Sequence, residues 1–548
     1  MLSYYETVMT TLPVLSPVSE SDLLSRGFFH DRMIPPLSTL SLSGPPGTEL
    51  VRHARAIMST AADKGYHSCL PVRSRCVQHS VPKRKHLRRV LSIPNPLHQS
   101  ILCCEIVDHW KELLALCSES EISLTTPQQS VRRAIESVHD RQKEAMERAK
   151  RSVGARYVLK TDIARFYPSI YTHSIGWAIH GKADARADKS YNLYGNRIDL
   201  WLRETQDKQT GGIPIGPDTS LLVAELIASR LDKALQKHFA RRMKGTRYID
   251  DYNLYFANRG DAEKALAVLH GAAREYELEI SDLKTEITEL PEPLEPYWKT
   301  QLRSIELRSK DHGTSLKAFF DRGFELAKEF SQDSVLTYIA KKVKGEIIAP
   351  EDWDMCEVLL LRSALGEPSL LPELAKIFEK NNATGSTRLR EAIEALCHYH
   401  SPLQQASEVA WSLWIARSFN LRVSKETAET VVTVDDDIVA LVSLDMMSAK
   451  LMPKVPTPLW NTHMNADSLY SDHWLLAYEA YEQGWLRPPG VKDYVAADTN
   501  KCFQILRNHK VRFYDPTNQW KGGSPDYSEE STDADEDDGV EDDSDSPF

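Results

Sequence analysis

The pattern of apolar and polar positions changes near residue 300. Before this point, short β-rich runs alternate with longer stretches of helical spacing, which is typical of an α+β fold. After it, apolar residues recur at helical spacing in consecutive segments, several of them separated by Gly, Pro or Asn. Because no sharp repeat is visible, these segments predict an irregular α-helical repeat-like array or bundle. The segments are 316–330, 335–343, 353–365, 370–380, 387–399, 405–419 and 424–432.

Two adjacent acids stand between apolar runs in the middle of the chain. Asp250 and Asp251 follow an apolar approach and precede the run 253–256, which predicts a β-hairpin with the acids at its tip. A second β-rich run, residues 156–163, carries Asp162 near its end. Most Asp-Asp pairs are solvated turn residues. Carboxylates delivered from neighbouring strands, however, can hold magnesium ions against a triphosphate.

Two further segments carry candidate chemistry. Residues 210–220, rich in Gly and Pro, lead into the apolar-periodic stretch 221–235, which predicts a flexible loop that opens a helix. Residues 51–100 contain ten Lys and Arg against one acid, Asp63. This imbalance favours a surface that faces a polyanion, with a solvated basic strand as the competing interpretation.

The order of these segments resembles the palm of a reverse transcriptase. The strand with Asp162 resembles the first catalytic motif of that family, Pro214-Ile215-Gly216 its template and nucleotide loop, and residues 248–251 its Tyr-x-Asp-Asp box. Leu283-Lys284-Thr285 resembles the lysine motif that follows the box, and residues 83–99 resemble the fingers segment. The resemblance implies a right-hand polymerase, with fingers and palm, ahead of the helical region.

The same resemblance implies RNA-directed DNA polymerase activity by two-metal catalysis. Asp162 and Asp250 would bridge both ions, with Mg²⁺ as the cofactor and Mn²⁺ as its substitute. Asp251 would contribute less, or serve as a structural turn carboxylate. The implied metal site comprises Asp162, Ile163, Asp250 and Asp251. The implied nucleotide-binding set comprises Arg88, Arg89, Ile163, Tyr167, Pro214, Gly216 and Lys284.

Four of the nucleotide-binding residues have an expected role. Arg88 and Arg89 would grip the triphosphate, because a guanidinium fork suits phosphate oxygens. Lys284 would protonate pyrophosphate, although an ordinary surface lysine is an equal alternative. Tyr167 stands five residues after Asp162, where RNA-copying RNA polymerases tend to place an acid. Its ring would exclude the 2′-hydroxyl and select deoxynucleotides, with packing in the palm core as the alternative.

Two features narrow the resemblance within the family. Most retroviral and intron reverse transcriptases have Gln where this chain has Ile215, so faithful template copying is in question. Residues 166–175 and 180–182 resemble the bacterial defence-associated, or abortive-infection, reverse transcriptases. That group implies a helical C-terminal extension and DNA synthesis in antiphage defence. Some of its members synthesise DNA without a conventional template, and some attach the DNA to the protein itself, which we expect here as well.

Two alternatives remain beside this interpretation. One is a retron-like reverse transcriptase that copies a dedicated noncoding RNA. The other is a nucleic-acid-binding scaffold whose helical domain is the effector, although clustered acids that repel one another without metal argue against it. The expected partners are dNTPs, nucleic acid including a single-stranded DNA product, and further copies of the chain, since large helical domains often assemble.

Length, cysteine content and hydropathy agree with an intracellular enzyme. A chain of 548 residues accommodates a polymerase of roughly 300 residues and a second domain. The eight cysteines form no Cys-x-x-Cys pair, which indicates neither a disulfide framework nor a zinc site. The N-terminus lacks a basic and apolar leader, and no uncharged apolar run approaches about 18 residues. A soluble, cytoplasmic bacterial protein without membrane contact is expected.

The formal net charge of −11 is concentrated at the C-terminal end. Residues 526–548 contain twelve Asp and Glu and no Lys or Arg, which predicts a disordered acidic tail. The tail would be a solvating appendage or a nucleic-acid mimic that occupies a basic channel. The predicted domains are an N-terminal region with fingers (1–155), a palm (156–295), thumb-like helices (296–345), an α-helical C-terminal domain (346–525) and the tail (526–548).

Overall fold

The computed structural model describes residues 18–66, 72–84, 87–138, 141–239, 244–307, 312–487 and 490–517. The predicted acidic tail lies outside these residues. The described strands are β1 (Val77–Arg84), β2 (Leu87–Ile93), β3 (Pro127–Gln129), β4 (Ile135–Ser137), β5 (Tyr157–Asp162), β6 (Lys244–Tyr248), β7 (Asp251–Phe256) and β8 (Glu286–Glu289).

Helices make up most of the remaining described structure. In the first part of the chain they are α1 (Glu20–Ser25), α2 (Pro45–Lys64), α3 (Pro96–Asp108), α4 (Trp110–Cys117), α5 (Arg141–Ser152), α6 (Phe166–Ser169), α7 (Ser174–His180), α8 (Lys182–Ala187), α9 (Tyr194–Glu204), α10 (Asp218–Phe239) and α11 (Arg259–Glu275). They continue with α12 (Tyr297–Arg303), α13 (His312–Glu329), α14 (Val335–Gly345), α15 (Trp353–Gly366), α16 (Leu371–Lys380), α17 (Thr387–His400), α18 (Ala406–Ser418), α19 (Lys425–Val431), α20 (Asp437–Ser448), α21 (Pro458–Asn461), α22 (Trp474–Glu482) and α23 (Cys502–Asn508). Short 3-10 helices span Leu40–Leu42, Asp282–Lys284, Pro368–Leu370 and Asp467–Tyr470.

A four-stranded antiparallel sheet in the order β6-β7-β5-β8 carries the three acids. The predicted hairpin is confirmed, because β6 and β7 pair from Tyr248 opposite Asp251 and leave Ile249-Asp250 as a two-residue turn. Strand β5 pairs with β7 on one side and β8 on the other, and its last residue, Asp162, lies opposite Asp251. Strand pairing therefore brings all three acids to the same end of the sheet.

The basic segment near residue 90 forms a separate hairpin, β1–β2, that leads into α3. Asn95 begins α3 by accepting a hydrogen bond from the Leu97 amide at 3.1 Å, and Pro96 fills the first turn, where a missing N–H is tolerated. The predicted loop and helix are confirmed, since α10 begins at Asp218. The Ser92 amide donates to the Ile215 carbonyl at 2.8 Å, so this loop is bonded directly to β2.

Apolar residues at helical spacing predict the first seven helices of the C-terminal region after α12 well. The seven predicted segments correspond to α13 through α19, with ends that differ by at most four residues. Helices α20 and α22 were not predicted. Nearly all of their residues are buried, which leaves little polar face to reveal the helical period, although α18, with residues 406–416 all buried, was predicted from its spacing. Among the described residues, no helix is both long and apolar enough to cross a membrane.

The C-terminal helices pack against hairpin β1–β2 rather than forming a separate unit. Helices α18 and α20 both contact β1. The buried His79 Nδ1 on β1 lies 2.9 Å from Asp436 Oδ2, which precedes α20. The indole N–H of the buried Trp474 donates to the Ile93 carbonyl at the end of β2, at 3.1 Å. Three tryptophans of this region, Trp414, Trp460 and Trp474, are buried in the core.

The last described residues return to the beginning of the chain. Leu37 and Tyr514 form an antiparallel bridge. The Ser38 amide donates to the Phe513 carbonyl at 3.0 Å, and the Asp515 amide donates to the Pro36 carbonyl at 2.8 Å. A short backbone ladder therefore joins segments that are separated by almost the whole sequence.

A buried charge cluster lies beneath the acid turn. The guanidinium of Arg247, fully buried at the end of β6, donates to Glu225 at 2.7 and 2.9 Å and to Asp232 at 2.8 Å, both on α10. Thr125 and Tyr252 donate to the same two carboxylates, at 2.8 and 2.9 Å respectively. The buried charges are thus compensated by hydrogen bonds on several sides, as a low-dielectric interior requires.

The same guanidinium holds the turn that carries Asp250. Ile249 has a φ of 55°, an uncommon conformation for a β-branched residue. Arg247 donates to the Ile249 carbonyl at 2.8 Å, and the Ile249 amide donates to the Thr125 hydroxyl at 3.2 Å. The backbone N–H and the backbone carbonyl of Ile249 are therefore both hydrogen-bonded to side chains beneath the turn, which keeps Asp250 in place.

We expect Arg247→Met to lower the local free energy of unfolding of the four-stranded sheet by about 3–5 kcal/mol, because it leaves two buried carboxylates without their counter-charge. Native-state hydrogen exchange of the β6 and β7 amides measures this value. Arg259→Met is the matched control, since Arg259 is exposed and pairs only within α11 with Glu263, and its effect should stay within about 0.5 kcal/mol. Equal protection in the two variants would contradict the assigned role of the cluster.

Candidate active site

The three predicted acids meet at one end of the sheet. Asp162 and Asp250 are each only 1% exposed, whereas Asp251, the first residue of β7, is half-buried. The Ile163 amide donates to the Asp250 carbonyl at 3.2 Å, which ties the end of β5 to the turn. Ile163 itself is fully buried. The predicted metal-site residues are therefore neighbours in the structure.

Several carboxylate oxygens of this group lack a hydrogen-bond partner among the described residues. Asp162 Oδ1 and both carboxylate oxygens of Asp250 are buried and have no hydrogen-bond partner in the described part of the chain. The remaining oxygen of Asp162 accepts a 2.5 Å bond from Lys284 Nζ. Burial, together with repulsion by Asp251 and Asp162, raises the pKa of Asp250 well above its ordinary value of 3.8. Buried hard oxygen donors in this state fit Mg²⁺ or Mn²⁺.

A cleft of about 750 Å³ opens in front of Asp250. One wall is hairpin β1–β2, and the other is the loop before α10 together with the segment around α6. Among the predicted site residues, the lining includes Arg88, Arg89, Tyr167, Pro214 and Asp250. The lining does not include the other predicted site residues, Asp162, Ile163, Asp251, Lys284 and Gly216.

Gly216 shapes the loop without lining the cleft. Its φ of 142° is rarely adopted by residues with a side chain, and a Cβ built on it would lie 3.2 Å from the Ser92 carbonyl. Because the loop and β2 approach so closely here, glycine permits the bond between Ser92 and Ile215. This places the Ile215 side chain, rather than a polar amide, in the cleft.

Tyr167 forms part of the cleft surface but is itself 3% exposed. Its ring packs edge-on against Phe166, with centroids 5.8 Å apart. Its hydroxyl is buried and has no hydrogen-bond partner among the described residues. Burial and the nearby Asp250 charge raise the pKa of Tyr167 well above 10.0, so the ring is uncharged at neutral pH.

The two predicted phosphate-binding arginines have different surroundings. Arg88 donates to both carboxylate oxygens of the buried Glu408 on α18, with a 2.8 Å contact to one of them, and to the side chain and carbonyl of Ser80 at 2.9 Å. Arg89 is 8% exposed and lines the cleft beside Lys83. Arg88 thus connects the hairpin to the helical region, while Arg89 presents charge to the cleft.

Several cleft residues were not found by sequence reasoning. They are Arg75, Gln78, Gln206, Gln209 and Asp472. Asp472 comes from the C-terminal helical region, just before α22, and no local signal in its surrounding sequence indicates contact with residues 300 positions earlier. The Glu408 partner of Arg88 escaped prediction for the same reason.

The middle of the chain is similar to a known protein family. Residues 100–314 match the family model described as "Reverse transcriptase (RNA-dependent DNA polymerase)". A reverse transcriptase domain is therefore present, and it supports RNA-directed DNA polymerase activity. The matched range contains all three acids and Tyr167. No curated protein matches the chain.

Two solved structures of telomerases are similar over much of the chain. The structure of apo telomerase from Candida tropicalis is 11% identical, covers 72% of this chain and 72% of its own, and has a TM-score of 0.32. The structure of telomerase from Candida albicans with a fragment of telomeric RNA is 10% identical, covers 70% of this chain and 64% of its own, and has a TM-score of 0.28.

The raised pKa of Asp250 predicts how the metal-free chain responds to pH. Because the folded pKa exceeds the unfolded value of 3.8, ionisation of Asp250 costs no stability below pH 3.8, and the cost grows as the pH rises toward the folded pKa. Asp250→Asn removes that cost. Without divalent ions at neutral pH, its Tm should exceed that of the unaltered chain by roughly 2–4 °C, and the difference should shrink on acidification.

Added Mg²⁺ should reverse this order by raising the Tm of the unaltered chain more than that of Asp250→Asn. Differential scanning fluorimetry with and without chelator measures both effects. Asp184→Asn, at an exposed position on α8, should behave like the unaltered chain throughout. Identical responses of the unaltered chain and Asp250→Asn to pH and to Mg²⁺ would exclude the assigned electrostatics.

Proposed function

We propose that this chain polymerises deoxynucleoside triphosphates in the cleft, with Asp162, Asp250 and the adjacent Ile163 and Asp251 forming a two-ion Mg²⁺ site. The observation that carries the proposal is the set of buried carboxylate oxygens on Asp162 and Asp250 that have no hydrogen-bond partner in the described residues. Such groups are costly to bury alone, and a divalent cation removes that cost. A packing or scaffold role does not require this arrangement.

The cleft suits a nucleotide. Its volume of about 750 Å³ lies within the range of sites that hold small molecules and cofactors. Arg89 and Lys83 line the same wall and supply positive charge for a triphosphate. Because Arg88 is already paired with Glu408, we assign it to holding the hairpin in position for Arg89. Pro214 and Gly216 shape the opposite side of the nucleotide site.

Each part of the site has a defined task in the proposed reaction. Bound Mg²⁺ supplies activation of the attacking hydroxyl and neutralisation of the triphosphate charge. Asp162 and Asp250 would hold the metal ions at the end of the sheet. Lys284, bonded to Asp162, balances part of the acidic charge and is our candidate for the proton donor to pyrophosphate. Tyr167 packs against the floor of the cleft and excludes a 2′-hydroxyl.

We further propose that the protein acts in antiphage defence in the bacterial cytoplasm and that it works as a homo-oligomer. Its DNA synthesis would need no conventional template and would start on a hydroxyl group of the protein. This proposal is supported by the resemblance of residues 166–175 and 180–182 to defence-associated reverse transcriptases. Ile215 supports it as well, because its apolar side chain offers no hydrogen bond to a template base or an incoming nucleotide.

Removal of either central acid should abolish synthesis. Purified chain is incubated with labelled dNTPs and Mg²⁺, and product is measured on denaturing gels. Asp162→Asn and Asp250→Asn should each reduce incorporation by roughly 10³-fold or more, since each loses several kcal/mol of charge stabilisation. Asp251→Asn should lose less, and Asp184→Asn should retain full activity. Undiminished synthesis or phage protection by Asp250→Asn would refute the polymerase mechanism.

The same assay separates the finer alternatives. Nuclease-treated protein is compared with protein supplied with RNA, and products are run before and after protease digestion. Product that forms without template and shifts after digestion supports protein-primed, untemplated synthesis. Product that forms only with RNA and whose gel mobility is unchanged by protease indicates a retron-like enzyme. Absence of product under all conditions indicates a binding scaffold.

Tyr167 should set the choice of sugar. Tyr167→Ala should lower the preference for dNTPs over rNTPs, expressed as a ratio of kcat/KM values, by roughly 10–200-fold, the range that steric pocket changes give. Tyr167→Phe is the matched control, because it keeps the ring and should keep the preference. An unchanged ratio in Tyr167→Ala, with activity retained, would assign the ring to packing alone.

A further inference from the structure

Three side chains that the proposed polymerase reaction does not use converge in the helical C-terminal region. Asp435 Oδ1 lies 3.4 Å from His463 Nε2 and 3.9 Å from His473 Nε2. One ligand atom from each of the three residues lies within 4.8 Å of the others. Neighbouring ligands of a tetrahedral zinc ion, bound at about 2.0–2.1 Å, are about 3.4 Å apart. The cluster is therefore close to the size of a metal site.

The two histidines reach this point from separate segments. His463 follows α21 and His473 precedes α22, and their rings stack with centroids 3.6 Å apart and planes 21° apart. His463 Nε2 is buried and has no hydrogen-bond partner among the described residues. Asp435 Oδ1 lies 3.4 Å from this nitrogen and forms an ion pair with the ring when the ring is protonated.

His473 is oriented by a second carboxylate. Its Nδ1 lies 2.8 Å from Oδ1 of the buried Asp437, and the other oxygen of Asp437 accepts a 2.9 Å bond from the Leu476 amide. When one ring nitrogen donates to a fixed carboxylate, the opposite nitrogen presents its lone pair to a metal. Asp437 thus occupies the place of the outer carboxylate that commonly supports a metal-binding histidine.

The three consecutive acids before and at the start of α20 have different partners. Asp436 accepts from the amides of Ile438 and Val439 at 2.9 and 3.0 Å, and its other oxygen contacts His79. Asp437 binds His473. Asp435 faces the two histidine rings with a side chain that is 48% exposed, which leaves a path from solvent.

We propose that Asp435, His463 and His473 bind one divalent transition-metal ion of the zinc type. Two imidazole nitrogens and one carboxylate oxygen form a donor set that zinc favours, with water in the fourth position.

The position of the ion indicates a structural role. It joins the segment before α20, the segment after α21 and the segment before α22. The residue after Asp435 holds His79 on β1, and the residue before His473 is Asp472, which lines the catalytic cleft. A bound ion would therefore fix the part of the cleft wall that the helical region supplies.

Metal binding can be measured without reference to polymerase activity. The parent is the full chain carrying Asp162→Asn and Asp250→Asn, so that the first site cannot retain metal. The parent is dialysed against Zn²⁺ or Co²⁺, bound metal is measured by mass spectrometry, and the visible absorption of bound Co²⁺ reports its ligand geometry. We expect about one ion per chain in the parent. Addition of Asp435→Asn or His463→Gln should abolish retention.

Two further variants make the outcome specific. Asp437→Asn keeps all three ligands and should weaken the affinity for metal by roughly 10–100-fold, as loss of an outer carboxylate does. His398→Gln is the matched control, because His398 lies on α17 and contacts Thr427 and Thr430 instead, and it should bind metal like the parent. Failure of the parent to retain metal, or equal retention by parent, Asp435→Asn and His463→Gln, would overturn the proposal and leave the cluster as an ion pair between histidines and Asp435.

Discussion

The geometry of the acid turn depends on the buried guanidinium of Arg247. A positive φ at a β-branched residue is strained, and Ile249 keeps it because both of its backbone polar groups are bonded to side chains beneath the turn. Arg247 can stay buried only because Glu225 and Asp232 on α10 share its charge. The position of the three clustered acids is thereby linked to the longest helix in the described residues.

Within a few residues, the site combines carboxylates that have hydrogen-bond partners with carboxylates that lack them in the described part of the chain. Below the turn, each carboxylate of the Arg247 cluster has hydrogen-bond partners, and this makes the cluster rigid. Above it, Asp162 and Asp250 retain oxygens that no hydrogen-bond donor of the described segments reaches, and the two carboxylates repel one another. Such a contrast is expected where a rigid base holds groups that are completed by a ligand, because the strain is tolerated only when the surrounding structure determines it.

Sequence reasoning succeeded where the determining interactions are local. The hairpin at Asp250 follows from turn-forming acids between β-rich runs, and α13 through α19 follow from apolar residues at helical spacing. It did not predict α20, whose burial leaves little polar face to reveal the helical period. It also did not predict Glu408 beside Arg88 or Asp472 in the cleft, because these contacts join positions that no local pattern connects. The cluster of Asp435, His463 and His473 has irregular spacing and contains no cysteine, so it resembles no zinc-binding sequence pattern.

The backbone ladder between residues 36–38 and 513–515 has a consequence for synthesis of the protein in the cell. Residues 36–38 cannot pair with residues 513–515 until nearly the whole described chain has left the ribosome. The contacts of β1 and β2 with α18, α20 and Trp474 also form only after those later residues have been synthesised. Contacts of such long sequence separation form late in folding. A nascent chain that has already made its acid turn therefore still lacks Asp472 and the helices that pack against hairpin β1–β2, and translation itself delays the moment at which the enzyme becomes complete.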